Sequence, residues 1–181
     1  MQQLNASGDG DAPLSINEPS ATIEADLCVI GAGSGGLSVA AAAAAFGVKV
    51  VLIEKHKMGG DCLNYGCVPS KAMIAAGRHA HTMRTGQPFG VAPVEPTIDY
   101  AAVNDHVKSV IAAIEPNDSV ERFSGLGVTV IQAAGSFVDN ATVRAGDRLI
   151  KARRFIVATG STPFVPPIPG LDETPYFTNE T

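Results

Sequence analysis

The sequence is short of positive charge, of cysteine and of any mark of export, and each shortage narrows what it can be. Its 181 residues hold 13 Lys and Arg against 18 Asp and Glu, for a net charge of -5. Nucleic acid is thereby excluded as a main partner, because phosphate binding needs clustered basic side chains. An electrostatic membrane anchor is excluded on the same ground. Three cysteines in this length do not make the disulfide framework of a small secreted domain. Residues 1–24 contain no Lys or Arg and are rich in Gly, Ser, Asp, Asn and Pro. Without a basic start or an apolar centre they are no signal peptide. They are expected to form a flexible acidic leader, with no cysteine for metal capture, ahead of a folded region over 25–181. The expected compartment is the cytoplasm.

What is present is ordinary for a folded protein: 45% hydrophobic residues and 17% charged, outside the range of disordered chains. One stretch invites a membrane reading. From Leu27 to Ile53 the single charge is Lys49, and the length would suffice to cross a bilayer. Five glycines interrupt it, however. Its Val- and Ile-rich ends predict strands and its alanine-rich middle predicts a helix, so no span is expected.

Read from Ala25, that region is ADLCVIGAGSGGLSVAAAAAAFGVKVVLIEK. Leu27 to Ile30 predicts a buried parallel strand, with Cys28 as a small buried hydrophobe. A helix follows to about Phe46, with Gly47 as its C-cap, and Val48 to Ile53 predicts a second strand that ends in Glu54. Gly31, Gly33 and Gly36 form G-x-G-x-x-G between strand and helix. Gly31 permits the tight turn, Gly33 admits a pyrophosphate against the backbone, and Gly36 lets helix and sheet close together. The N–H groups of the first helical turn, at Ser34 and Gly35, offer partial positive charge to phosphates. Glu54, 18 residues after Gly36, is placed to accept hydrogen bonds from an adenosine ribose, with Lys55 beside it. The strand, the helix and the spaced acid together predict a dinucleotide site in an α/β, Rossmann-like domain.

Residues 59–71 read GGDCLNYGCVPSK, which gathers two of the three cysteines within a glycine-rich turn. Only eight residues lead from Glu54 to Cys62, a reach of at most about 26–29 Å. That distance runs the length of an extended dinucleotide, so the cysteines can lie at its reactive end. Gly59, Gly60 and Gly66 allow close backbone approach. The chain turns helical from Cys67, where Pro69 suits a first turn. A helix N-terminus favours a thiolate, and Lys71, one turn on, adds positive charge to the same face. Cys67 is therefore the expected thiolate, and Cys62, on the preceding loop, the thiol that exchanges with an outside substrate. Two unrelated buried thiols, or half a zinc site, are the other readings. Zinc would need two more ligands, and His79 and His81 point to different faces of the predicted helix, so no metal site is expected.

GGDCLNYGCVPSK resembles the active-site signature of the class I pyridine nucleotide–disulfide oxidoreductases, the family of dihydrolipoamide dehydrogenase, mercuric reductase and glutathione reductase. The resemblance runs from about Asp26 to Thr181. It implies FAD at the first glycine motif, with Gly31, Gly33 and Gly36 facing its pyrophosphate and Glu54 its ribose. It implies Cys67 as the thiolate against the flavin, Cys62 as the interchange thiol and Lys71 near the flavin's reactive nitrogen. Gly60 and Asp61 fall at the cofactor too, but Asp61 replaces the Thr usual in the family, which helps hold the phosphates. An Asp there is expected to raise the Cys62 pKa through like charge. Tyr65 stands where a small aliphatic residue is common. Ser70 is similar to the Pro-Ser-Lys of the dihydrolipoamide and mercuric reductases.

In the remainder, Ile98 to Ile114 carries apolar residues at Val103, Val107, Val110 and Ile114, the spacing of a one-faced helix, with His106 off that stripe. Pro116 ends it, and Asp118 to Gly127 predicts a short capped helix. Strands are expected at Val128–Ile131, Ser136–Val138, Ala141–Ala145, Leu149–Lys151 and Phe155–Ala158, the middle ones as a small antiparallel excursion. The resemblance places the backbone of Ala134 and Gly135 against the adenine. It also makes Thr159, Gly160 and Ser161, after the last strand, a second flavin contact. A single G-x-G-x-x-G is present, so the family's NAD(P)H domain and its interface domain, which completes a homodimer, are expected beyond this chain. The implied reaction relays electrons between NAD(P)H, FAD and the cysteine pair to a disulfide, another small molecule or a metal ion, with dihydrolipoamide- or mercuric-reductase-like chemistry expected first. A glutathione-reductase-like enzyme and a stand-alone FAD-binding redox module without turnover are the alternatives. The chain alone is expected to be inactive.

Overall fold

The computed structural model describes residues 21–181. The leader expected over residues 1–20 lies outside the described residues, while Ala21–Glu24, expected to be its end, are strand instead. They open β1 (Ala21–Ile30), which pairs with the strand formed by residues 148–157 from its first residue onward.

Strand β1, helix α1 (Ser34–Ala45) and strand β2 (Val50–Glu54) form the expected strand–helix–strand unit. Its packing follows from the pleat, which sends successive side chains to opposite faces. Cys28, Ile30, Val51 and Ile53 enter one core cluster. Val29, Val50 and Leu52 enter the other, under Leu37 and Ala40 of α1. Both faces are covered, which is why these strands read as unbroken apolar runs. Chain 27–53 thus folds back on itself, and among the described residues no helix is long and apolar enough to cross a membrane.

Next come a short helix α2 (Gly60–Asn64), a long helix α3 (Cys67–Arg84) and helix α4 (Tyr100–Ile114), which packs on α3. Asp99 starts α4 by accepting the Ala101 and Ala102 N–H groups at 2.9 and 3.2 Å, a capping contribution of about 1 kcal/mol. A 3-10 turn at Glu115–Asp118 leads to α5 (Val120–Gly125), capped by Ser119 through the Arg122 N–H. Phe123 of α5 is fully buried beside α1 in the second cluster.

Four strands complete the sheet: β3 (Thr129–Gln132), β4 (Gly135–Asp139), β5 (Thr142–Ala145) and β6 (Arg148–Val157). Their order is β3-β2-β1-β6-β5-β4. The first four run parallel, and β5 and β4 extend the sheet antiparallel. This extension is the expected excursion, curled over the first face: a Cβ at Gly135 would sit 3.5 Å from both Ile30 and Ile53. The two strands expected at 149–151 and 155–158 are one strand. Of the arginines between them, which break the apolar run, Arg154 stays in register with Leu27 of β1 and Arg153 reaches Asp26 at 3.2 Å.

Candidate functional site

The carboxyl ends of β1 and β6 meet at the glycine turn, where a parallel sheet offers its ligand crevice. Gly31 has φ +105°, and a Cβ there would collide with the Ala158 carbonyl. The Ala158 N–H in turn donates to the Ile30 carbonyl at 2.8 Å, which fixes that approach. Gly36 lies under the Gly31 carbonyl, where a Cβ would collide as well. Helix and strand can close only with glycine at both positions. No side chain caps α1, so the N–H groups of its first turn, at Ser34, Gly35 and Gly36, are open to an anion.

Glu54 closes the unit from the other side. It is the one charged side chain buried among the described residues, at 8% exposure. The Ala32 N–H donates to Oε2 at 2.6 Å and the His56 N–H to Oε1 at 2.7 Å. Two charge-assisted bonds of this length stabilise the buried carboxylate, and each oxygen keeps a lone pair for a ligand.

Between these parts lies a groove of about 820 Å³. Gly31, Gly33, Glu54 and Lys55 line it from the first unit, Gly60 and Asp61 from α2, and Thr159, Gly160 and Ser161 from the segment after β6. The sequence places all nine at a cofactor, and the fold brings them to one surface. Nine further lining residues were missed: Ala158, Thr162 and Pro163, which flank the predicted Thr159–Ser161, and His56, Lys57, Asn64, Tyr65, Asn179 and Glu180. His56 and Lys57 directly follow Glu54, a signal that could have found them. Asn179 and Glu180, far away in sequence, gave none. Ser34, Gly35, Gly36, Lys71, Ala134 and Gly135 are not among the lining residues; Gly135 lies over the strand ends at Ile30 and Ile53.

The cysteine turn is tied to the glycine turn by its backbone. The Gly59 N–H donates to the Ala32 carbonyl at 2.9 Å, and Gly60 approaches Gly33 so closely that a Cβ on Gly60 would come within 2.6 Å of the Gly33 Cα. Asn64 holds this turn by donating to the Met58 and Gly60 carbonyls at 3.1 and 2.8 Å. Cys62 was expected on a loop; it lies in α2, a five-residue helix too short to show a period. Cys67 is the first residue of α3, as expected. Lys71 lies one turn further along α3 and is exposed.

All three cysteines are free thiols, Cys28 buried in the core, Cys62 half-buried and Cys67 exposed. The Cys62 thiol is pushed above its ordinary range by hydrogen bonding with the Cys67 thiol. That hydrogen bond is the largest cause, followed by burial and the charge of Cys67, against a backbone hydrogen bond at Cys67 that lowers it; the charge of Asp118 adds least. The rise was expected from Asp61. Asp61 instead accepts a hydrogen bond from Asn179 at 2.8 Å, and the nearby charge comes from Asp118. Cys62 opens into a second cavity of about 350 Å³, with Ser34, Leu37, Ser38 and Ala41 of α1 on one side and Asp118, Arg122 and Phe123 on the other. The arrangement offers a dithiol whose half-buried member holds its proton and faces a cavity separate from the groove.

Comparison with known proteins gives a consistent result. The family model for pyridine nucleotide-disulphide oxidoreductase matches residues 25–181. A mercuric reductase of Acidithiobacillus ferrooxidans is 37% identical, across 99% of this chain and 34% of its own length. A mercuric reductase of Shigella flexneri is 36% identical over 84% of this chain and 28% of its own. Dihydrolipoyl dehydrogenase 2, chloroplastic, of Arabidopsis thaliana is 34% identical over 91% and 30%. The chain therefore spans about a third of the length of these curated relatives. Among solved structures, the Cu(II) complex of the HOCl-induced flavoprotein disulfide reductase RclA from Escherichia coli superimposes with a TM-score of 0.68. It is 24% identical, over 83% of this chain and 31% of that one, a likeness of fold.

Proposed function

The chain belongs to the pyridine nucleotide-disulphide oxidoreductase family, and on that premise we propose that it carries the FAD site and the reactive dithiol of such an enzyme. The chemistry is of the mercuric-reductase or dihydrolipoamide-dehydrogenase kind, with NAD(P)H as the partner reductant or oxidant. A homodimeric, cytoplasmic parent goes with this reading. The observation that carries it is the juxtaposition of one groove, built on Gly31, Gly33 and Glu54, with two free thiols, Cys62 in the adjoining short helix and Cys67 at the start of α3.

The residues fit FAD. The uncapped first turn of α1 suits a pyrophosphate. The free lone pairs of Glu54 suit the hydroxyls of a ribose and would repel a 2′-phosphate. Thr159, Gly160 and Ser161 would hold the cofactor from the β6 side and Lys55 and Gly60 from the other, with Asp61 bordering the same groove. When bound, FAD supplies two-electron exchange between a nicotinamide and a disulfide.

The remaining work falls to the thiols. In the reductive direction the Cys62 thiolate attacks one sulfur of a substrate disulfide within the second cavity, forming a mixed disulfide and releasing one thiolate. Cys67 then attacks the Cys62 sulfur and releases the second, leaving the Cys62–Cys67 disulfide. Two electrons have passed to the substrate, whose two thiolates take up two protons. A soft metal ion would meet the same thiolates as ligands. Because the Cys62 thiol is pushed above its ordinary range, its attack is helped by a base or a higher pH.

The test is an absorption spectrum of the chain mixed with FAD, passed through gel filtration and treated with a dithiol. Retained flavin that gains a long-wavelength thiolate–flavin band, lost in Cys67→Ser and kept in Cys62→Ser, is the expected result. Retained flavin without the band would refute the role of the dithiol. No retained flavin would overturn the FAD reading of the groove.

A further inference from the structure

Residues 161–181 form no helix or strand. Among the described residues their hydrogen bonds run within the segment, as from Leu171 to Ile168 and from the Thr174 hydroxyl to Gly170, with one exception. The Asn179 carboxamide donates to Asp61 Oδ1 at 2.8 Å, joining residues 118 apart.

The acceptor is well held. Asp61 lies in α2, one residue before Cys62, and its carbonyl takes the Tyr65 and Gly66 N–H groups at 2.8 and 2.6 Å. Its second carboxylate oxygen lies over Gly66, where a Cβ would meet it at 2.5 Å. Gly66 thus leaves room for the carboxylate to face the segment. The donor is matched to it: a carboxylate only accepts, and a carboxamide supplies N–H groups. Asn179 and Asp61 both line the groove, as do Gly31 and Gly33 of the glycine turn.

We propose that the Asp61–Asn179 hydrogen bond is a strap that fastens segment 161–181 over the dinucleotide groove, beside the cysteine turn, and slows the release of bound FAD. The second half of this statement rests on the FAD reading above; the strap itself does not. Asp61 is then a positioning residue. Its carboxylate serves the segment, and it would be a poor neighbour for phosphate if left free.

A charge-swap cycle tests both halves. Asn179→Asp sets a second carboxylate against Asp61 with no N–H to share. Asp61→Asn alone keeps an acceptor and serves as the mild control. The double variant D61N/N179D restores donor and acceptor with their places exchanged. Hydrogen exchange of residues 171–181, measured without flavin, reads the strap: N179D exchanges faster than the wild type and the double variant returns to it. Release of FAD, followed by flavin fluorescence, reads retention. N179D is expected to release FAD about two- to threefold faster, the scale of an exposed interaction with a charged group, and the double variant to return to the wild-type rate. Exchange that is unchanged in N179D, or not rescued in the double variant, overturns the strap. Faster exchange with unchanged FAD release overturns the retention role. If the wild type holds no FAD, the FAD reading fails, and hydrogen exchange still decides the strap.

Discussion

Glu54→Gln exchanges one atom group at the centre of the strand–helix–strand unit, and the geometry sets its cost. Two backbone N–H groups, from Ala32 and His56, converge on the two carboxylate oxygens at 2.6 and 2.7 Å. A carboxamide has a single oxygen, so in either orientation its NH₂ faces an N–H donor. One bond to a charged acceptor is lost, and one buried donor is left without a partner. Each loss is worth about 1–3 kcal/mol and the two overlap, so about 2–4 kcal/mol is expected. For a chain of this size that corresponds to a fall in Tm of about 5–12 °C. Thermal unfolding followed by circular dichroism, without cofactor, measures it. Glu95→Gln is the control: Glu95 also accepts close bonds from Arg84, but both are exposed, and a shift under about 2 °C is expected. A Glu54→Gln variant that melts within 2 °C of the wild type would refute the view that this carboxylate holds the turn together.

Gly36→Ala places a methyl group into the Gly31 carbonyl, while at Gly35 an added Cβ meets nothing within 4 Å. The first should destabilise by about 1–3 kcal/mol or more and the second should be neutral or mildly stabilising, as urea titration will show. Burial pushes the Cys28 thiol from 9.0 up to about 11. Its folded-state pKa is raised, so the stability it contributes is whole below about pH 9 and is lost as pH climbs toward 11, about 2–3 kcal/mol in all. Cys28→Ala should therefore lose stability less steeply than the wild type over that window. Because Cys67 supplies the largest upward push on Cys62, Cys67→Ala should bring alkylation of Cys62 to a lower pH; an unchanged or higher midpoint would refute the pairing of the two thiols.

What the sequence made legible was local. The unit from 25 to 54 follows from short-range period and glycine spacing, and so does the start of α3 at Cys67, because each is decided by neighbours a few residues away. Helix α2 was missed because five residues among glycines show no period. Strand β6 was split in two because arginines 153 and 154 interrupt the apolar run, although register with β1 needs no apolar side chain there. The groove was found on its glycine, acid and β6 sides, yet Asn179 was not, since nothing within 100 residues of Asp61 announces its partner. The cavity at Cys62 was missed for the same reason: Asp118 and Arg122 reach it only through the packing of Phe123 under α1.

The alternation along α2 has a steric meaning. Gly59 and Cys62 border one cavity, while Gly60 and Asp61 border the groove, and the two spaces have no lining residue in common. Occupants of the two therefore do not compete for the same volume. A molecule in the Cys62 cavity should be able to bind together with a ligand in the groove, each next to the uncapped first turn of α1 at Ser34. Helix α2 is in effect a partition one turn thick between the two spaces, with Cys62 on one side and Asp61 on the other.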